Sequence, residues 1–166
     1  MEVLSFEPAV AVLADALRAR GWRLATAESC TGGLIAAACT AVAGSSDWFE
    51  RGFVTYSNAA KCELLGVDPA LIATQGAVSE AVVRAMAEGA VRRAGVELGV
   101  AVTGIAGPGG ATPGKPVGMV WLALAQREAA GHVQVRAERL QLDGDRASVR
   151  EQTVRRALRR LREAAA

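Results

Sequence analysis

Two hydrophobic periodicities alternate along the chain. Over residues 8–20, Val10, Val12, Leu13, Ala16 and Leu17 recur at helical spacing, with Asp15, Arg18 and Arg20 on the other side. This predicts a helix stopped at Gly21. Residues 22–27 read as a short strand, and residues 34–42, apolar on nearly every side, as a buried helix. A strand over 53–56 and a helical turn over 61–65, closed by Gly66, follow. Ser79-Glu80 opens a helix through Arg93 that carries Val82, Val83, Met86, Ala90 and Val91 at helical spacing and ends at Gly95.

The second half turns to strands. Residues 98–103 and 117–125 are continuous apolar runs of the kind covered on both faces of a sheet. A turn is expected over 126–131 and an alternating strand over 132–142, before Asp143 or Asp145 caps an Arg-rich final helix. The pattern predicts an α/β fold: a three-layer α/β/α sandwich on a mixed, largely parallel sheet. Neither an internal repeat nor a linker interrupts it, so residues 1–166 are expected to form one domain.

Composition narrows the function classes. Hydrophobic residues make up 51% and charged residues 22%, enough to bury a core. The net charge of +2 gives little long-range attraction for nucleic acid or for a membrane surface, and neither is an expected partner. An apolar run approaching the roughly 20 residues of a membrane span is missing. The first seven residues carry two acids where a signal peptide carries bases. Three cysteines without paired spacing suit a reducing compartment, and a cytoplasmic location is expected. No His/Cys/carboxylate cluster has metal-ligand spacing, so no metal and no cofactor are expected. Apolar helices on so small a domain make a homodimer a reasonable expectation.

Candidate chemistry begins where the first strand meets its helix. In Glu28-Ser29-Cys30-Thr31-Gly32-Gly33, small and hydroxylic residues leave backbone N–H groups at a helix N-terminus. Such a turn can hold a nucleophilic Ser29 beside an oxyanion hole; equally, Ser29 or Thr31 can simply cap the helix. It is not a G-x-S-x-G elbow, since Ala27 and Thr31 occupy the glycine positions. A base for Ser29 is scarce. The only histidine, His132, lies near a turn at the start of an alternating strand, which fits a surface residue better than a triad base. Of nineteen basic residues only Lys61 and Lys115 are lysines, and lysine, unlike arginine, can lose its proton when buried. Lys61 follows Tyr56, the only tyrosine, by five residues; the pair can serve Ser29, or Tyr56 packs and Lys61 is solvated. Cys30 is a rival nucleophile at the same helix entrance, where a thiolate is favoured, although no histidine is near to serve it.

Two later segments bear on ligands. Gly109 through Lys115 satisfies the opening of a phosphate loop, but Pro116 replaces the Ser/Thr that holds magnesium, and a strand is expected where that loop needs a helix. The Gly/Pro-rich loop over 104–116 reads instead either as a backbone wall that a ligand approaches closely or as a plain mobile loop. Thr103 precedes it at the strand end where α/β sheets open their crevice. The arginines of the last helix read as a solvated face, with acids interspersed and no aromatics between them. Arg146, in the first turn after Gly144-Asp145, is separable as a clamp for a phosphate or carboxylate.

Taken together, these segments resemble the CinA C-terminal domain family, which includes stand-alone amidases of the PncC type. The residues that carry the resemblance are Glu28-Ser29-Cys30-Thr31-Gly32-Gly33, Thr55-Tyr56-Ser57-Asn58-Ala59-Ala60-Lys61, Val78-Ser79-Glu80, Val102-Thr103-Gly104-Ile105-Ala106-Gly107-Pro108-Gly109-Gly110, Lys115-Pro116-Val117-Gly118 and Gly144-Asp145-Arg146. They occur in order over nearly the whole chain. The resemblance implies a metal-free enzyme that deamidates nicotinamide mononucleotide to nicotinate mononucleotide and ammonia. It implies Ser29 as nucleophile, with Tyr56 and Lys61 handling protons. A nucleotide substrate is then expected against Cys30, Thr31, Gly32, Gly33, Thr103, Gly104, Gly107 and Arg146. The family also contains longer chains with a separate N-terminal domain, whose activities are not carried over. Its association with competence and DNA damage supports an alternative, a non-catalytic module that binds a nucleotide or a protein.

Overall fold

Apolar strands that cannot leave their backbone groups unpaired come together in one five-stranded sheet of order β2-β1-β3-β4-β5. The computed structural model describes residues 6–166, and the absence of a leader read from the first residues lies mostly outside them. The elements are α1 (Glu7–Arg20), β1 (Leu24–Glu28), α2 (Leu34–Thr40), β2 (Phe49–Val54), α3 (Asn58–Leu65), α4 (Pro69–Gln75), α5 (Glu80–Ala94), β3 (Leu98–Gly104), β4 (Met119–Arg127), β5 (Val133–Gln141) and α6 (Arg146–Ala165). Strand β1 pairs in parallel with β2 and β3, whereas β3–β4 and β4–β5 are antiparallel. The sheet is therefore mixed, with its parallel half at β2-β1-β3. Among the described residues no helix is long and apolar enough to cross a membrane.

Side-chain alternation along the strands builds two cores. Leu24, Leu98, Val100, Val102, Val120 and Leu122 face the layer of α1, α2 and α6. The intervening Ala25, Ala27, Ala101, Ala123 and Ala125 face the layer of α3, α4 and α5. Small alanines on that second face let α5 lie close to the sheet, with Val82, Val83, Met86, Ala87, Ala90 and Val91 buried. Helices therefore cover both faces, as expected for the sandwich.

Several boundaries differ from the sequence pattern, each for a local reason. Helix α2 stops at Thr40, and α1 turns Val12 outward while burying Val10, Leu13, Ala14 and Leu17. Helix α3 begins three residues before Lys61 because the Ser57 hydroxyl accepts the Ala60 N–H, fixing the N-terminus there. Helix α4, which the hydrophobic pattern does not predict, has its own cap pair: Asp68 accepts the Ala70 N–H, and Pro69 supplies a preset first turn. Of the two acids considered for the final helix, Asp145 is the cap, accepting the Ser148 N–H.

Gly89 in α5 gives a direct test of this packing. A Cβ there would lie 2.1 Å from the Leu65 carbonyl oxygen at the end of α3. Alanine favours a helix interior over glycine by ~1 kcal/mol, so a free helix would gain from the change. Gly89→Ala is instead expected to destabilise the protein by about 2 kcal/mol, because α3 must move. Urea unfolding checks this; a raised midpoint would show that α3 and α5 do not touch there.

Candidate active site

The parallel strands β1, β2 and β3 end on the same edge, and the candidate residues gather beyond their C-terminal ends, where open α/β sheets present ligands. The turn after β1 is organised by Glu28, a fully buried carboxylate on the α2 side of the sheet. Its Oε2 accepts the Thr31 hydroxyl at 2.6 Å and the N–H groups of Gly33 and Ile35 at 3.2 and 3.0 Å. Its Oε1 accepts the Ala36 N–H at 2.8 Å. The N-cap position itself is Gly33, at φ +99°, with no side-chain cap bond. Neither Ser29 nor Thr31 caps α2 in the usual way; Glu28 does so from the preceding strand, and Ser29 is left free.

Ser29 points the other way, toward α3. Its N–H is held by the Val102 carbonyl, and its Oγ lies 3.1 Å from Lys61 Nζ. Lys61 is only 1% exposed, and its ammonium also donates to the Thr55 carbonyl at 2.7 Å. Burial disfavours the charged form and lowers the Lys61 pKa, the nearby Cys30 and Cys62 opposing this only in part. A lysine so placed is suited to take the serine proton.

The turn also sorts its N–H groups. Gly32 N–H donates to the Ser29 carbonyl and Gly33 N–H to Glu28, so neither faces a ligand. The N–H groups of Cys30 and Thr31 have no hydrogen-bond partner among the described residues. The expected stabilised thiolate at Cys30 is corrected: burial, the largest influence, pushes its thiol up to about 12.

Tyr56 is 62% exposed, and its hydroxyl accepts from Arg146 Nη2 at 2.9 Å and bonds to neither Ser29 nor Lys61. Arg146 Nη1 donates to the Gly107 carbonyl at 2.8 Å, so this arginine ties the β2–α3 corner to the glycine-rich loop. Thr103 is buried and donates its hydroxyl to the Ala77 carbonyl, which leaves it only acceptor capacity toward a ligand. Gly104 and Gly107 answer a packing need: a Cβ at either would lie within 2.7 Å of Val120 or Val117. Lys115 donates to the Gln75 carbonyl, and β4 follows that loop, as expected of a chain without a phosphate loop. His132 is exposed beside the β5 residue that pairs with Arg127, at the opposite end of the sheet. No group of three or more metal-ligating side chains occurs among the described residues.

The sequence reading missed two participants. Glu28 enters the sequence pattern only as part of a motif, although an acid ending a strand with no other charged residue is a visible signal. Arg150 was grouped with a solvated face, yet it is half-buried and its Nη2 donates to the Thr31 carbonyl at 3.1 Å.

The family model of the CinA C-terminal domain matches residues 7–165. The chain belongs to that family. Over 135 residues it is 54% identical to a nicotinamide-nucleotide amidohydrolase PncC of Enterobacter agglomerans, covering 81% of this chain and 80% of that protein. A CinA-like protein of Syntrophobacter fumaroxidans is 48% identical over 147 residues, 89% of this chain but 34% of that longer protein. The crystal structure of the competence damage-inducible protein A (ComA) from Klebsiella pneumoniae superposes with a TM-score of 0.88 at 44% identity, covering 94% of each chain.

Glu28→Gln tests the organising role of the carboxylate. It swaps one acceptor oxygen for an NH2 group that faces donors, and a loss of about 2–4 kcal/mol is expected. Thr31→Val, which removes a single donor, is expected to cost about 1 kcal/mol. Denaturant midpoints report both; equal, small effects would mean that the turn holds itself.

Proposed function

We propose that this CinA-family domain is an amidohydrolase that converts nicotinamide mononucleotide and water to nicotinate mononucleotide and ammonia, with Ser29 as nucleophile and Lys61 as base. The single observation that carries the reading is the part-buried contact of 3.1 Å between Lys61 Nζ and Ser29 Oγ. The name of the 54% identical relative supports the substrate.

In the proposed cycle, neutral Lys61 takes the Ser29 hydroxyl proton as Oγ bonds to the carboxamide carbon. The carbonyl oxygen gains the negative charge and is met by the free N–H groups of Cys30 and Thr31. Collapse breaks the C–N bond, and Lys61 returns its proton to the departing nitrogen, which leaves as ammonia. Lys61 then takes a proton from water, whose oxygen attacks the acyl carbon. The C–Oγ bond breaks, Ser29 recovers its proton, and nicotinate mononucleotide is released. Proton transfer runs directly between Ser29 and Lys61. Tyr56 serves at the mouth, against the substrate, and its link to Arg146 leaves it outside the relay. Every step uses side chains, backbone N–H groups and water.

Ammonia release from nicotinamide mononucleotide, followed with a chelator present, tests this reading. Ser29→Ala and Lys61→Met are expected to lose about 10³-fold or more in kcat, whereas Cys30→Ala stays within a few-fold of wild type. Turnover kept by Ser29→Ala would refute the nucleophile. No turnover in a folded wild type would favour the non-catalytic binding module.

The pH dependence has a definite sign. The base must be neutral, so kcat/KM rises with pH as Lys61 loses its proton, and burial sets that rise below the ordinary lysine value of 10.5. A limb centred at or above 10.5 would mean that Lys61 is not the base.

A further inference from the structure

Thr55, just past the end of β2, is fully buried, yet its hydroxyl oxygen makes no hydrogen bond among the described residues. Its main chain, by contrast, is fully used. The Thr55 N–H continues the β1–β2 ladder onto the Glu28 carbonyl at 2.8 Å. In a parallel ladder the carbonyl of that same residue next accepts the N–H two positions further along the neighbouring chain, here that of Cys30. Lys61 Nζ takes this place instead, at 2.7 Å, and the Cys30 N–H is left without a partner. Phe53 packs against the core of the α3–α5 layer, so strand alternation turns Thr55 to the same face, where Lys61 enters from α3.

A count of donors shows what the hydroxyl is available for. At rest, the amine has the Thr55 carbonyl on one side and Ser29 Oγ on the other. When Oγ bonds to the carboxamide carbon, its proton moves to Nζ, and the ammonium that results has three N–H groups. One stays on the Thr55 carbonyl, one turns to the departing nitrogen, and the third needs an acceptor. No carboxylate lies within ion-pair distance of Lys61 among the described residues. The titratable groups that face it are the thiols of Cys30, after β1, and Cys62, on its own helix. Burial keeps the Cys30 thiol protonated. A buried ammonium with an unmet N–H is costly.

We infer that Thr55 is a positioning residue for the base: its carbonyl aims the resting amine at Ser29, and its hydroxyl, unpaired at rest, accepts the third N–H of the ammonium formed during the reaction. The inference rests on the amidohydrolase reading for the reaction step, but not for the contact with a protonated lysine. Hydrogen bonds to catalytic groups commonly close only as the substrate arrives. A bond made only once the proton has moved lowers the barrier without tightening substrate binding. The hydroxyl is thus held in reserve, and its lack of a partner in the resting fold is the mark of that role.

Lys61 and Lys115 are the only lysines in the chain, so carbon-13 labelling of lysine resolves both side chains by NMR, and Lys115→Arg assigns them. Thr55→Val keeps the branched shape and removes the hydroxyl. Because the ammonium then lacks an acceptor, the Lys61 titration is expected to move down by about one pH unit, without any substrate present. Thr55→Ser, which keeps the hydroxyl, is expected to titrate like wild type. With nicotinamide mononucleotide, Thr55→Val is expected to lose about tenfold or more in kcat with KM within about twofold, and Thr55→Ser to recover most of the loss. The denaturant midpoint of Thr55→Val is expected to stay level or rise, since an unpaired buried hydroxyl contributes no stability. An unchanged Lys61 titration in a folded Thr55→Val would overturn the inference. So would a lowered midpoint, which would mean that the hydroxyl is paired at rest, or a Thr55→Ser as impaired as Thr55→Val, which would trace the loss to the methyl group. Absent turnover in wild type, with the titration shift intact, would refute the reaction and leave the contact standing.

Discussion

Where β1 ends, two consecutive side chains leave the sheet in opposite directions, and the carboxylate of Glu28 determines what the second one can do. The N–H groups opening α2 would otherwise be unpaired at a buried helix terminus, and a carboxylate from the preceding strand meets Gly33, Ile35 and Ala36 together with the Thr31 hydroxyl. Because an acid behind the turn does the capping, the hydroxyl in front of it, Ser29, is released from structural duty. Glu28 takes the Gly33 N–H and the Ser29 carbonyl takes that of Gly32, while those of Cys30 and Thr31 have no hydrogen-bond partner among the described residues.

The lysine depends on that arrangement. An ammonium buried without an acid is tolerated here through the Thr55 carbonyl and the Ser29 hydroxyl, neither of them charged. A carboxylate facing Lys61 would hold it protonated and useless as a base. Glu28 lies on the α2 side of the sheet and Lys61 on the α3 side, so strand β1 separates the buried acid from the buried amine. Burial disfavours the charged form of both groups, so it lowers the Lys61 pKa and raises that of the Cys30 thiol.

The layer order and most elements were legible because apolar periodicity records which face is buried. The serine and the lysine were legible as well, by scarcity of bases and by the family motifs. What escaped was directional. The spacing of Tyr56 and Lys61 says that both lie near the corner after β2, but not that one side chain turns inward while the other, 62% exposed, reaches Arg146. Arg150 was hidden by its neighbours, since seven arginines on one helix look alike until acids on β5 and α6 claim four of them. Helix α4 was lost between longer elements, although Asp68-Pro69 announces it.

The separations along the chain of these contacts differ sharply. Lys61 and Ser29 are 32 residues apart, joined through the neighbouring β1 and β2 units. Arg150 and Thr31 are 119 apart, and Arg146 and Tyr56 are 90 apart. Closing the longer loops costs more chain entropy, and in synthesis from the N-terminus their partners emerge last. A growing chain can therefore bring Ser29 and Lys61 together well before α6 exists to close over them, so the corner that holds this pair can form before the arginines that later fasten it.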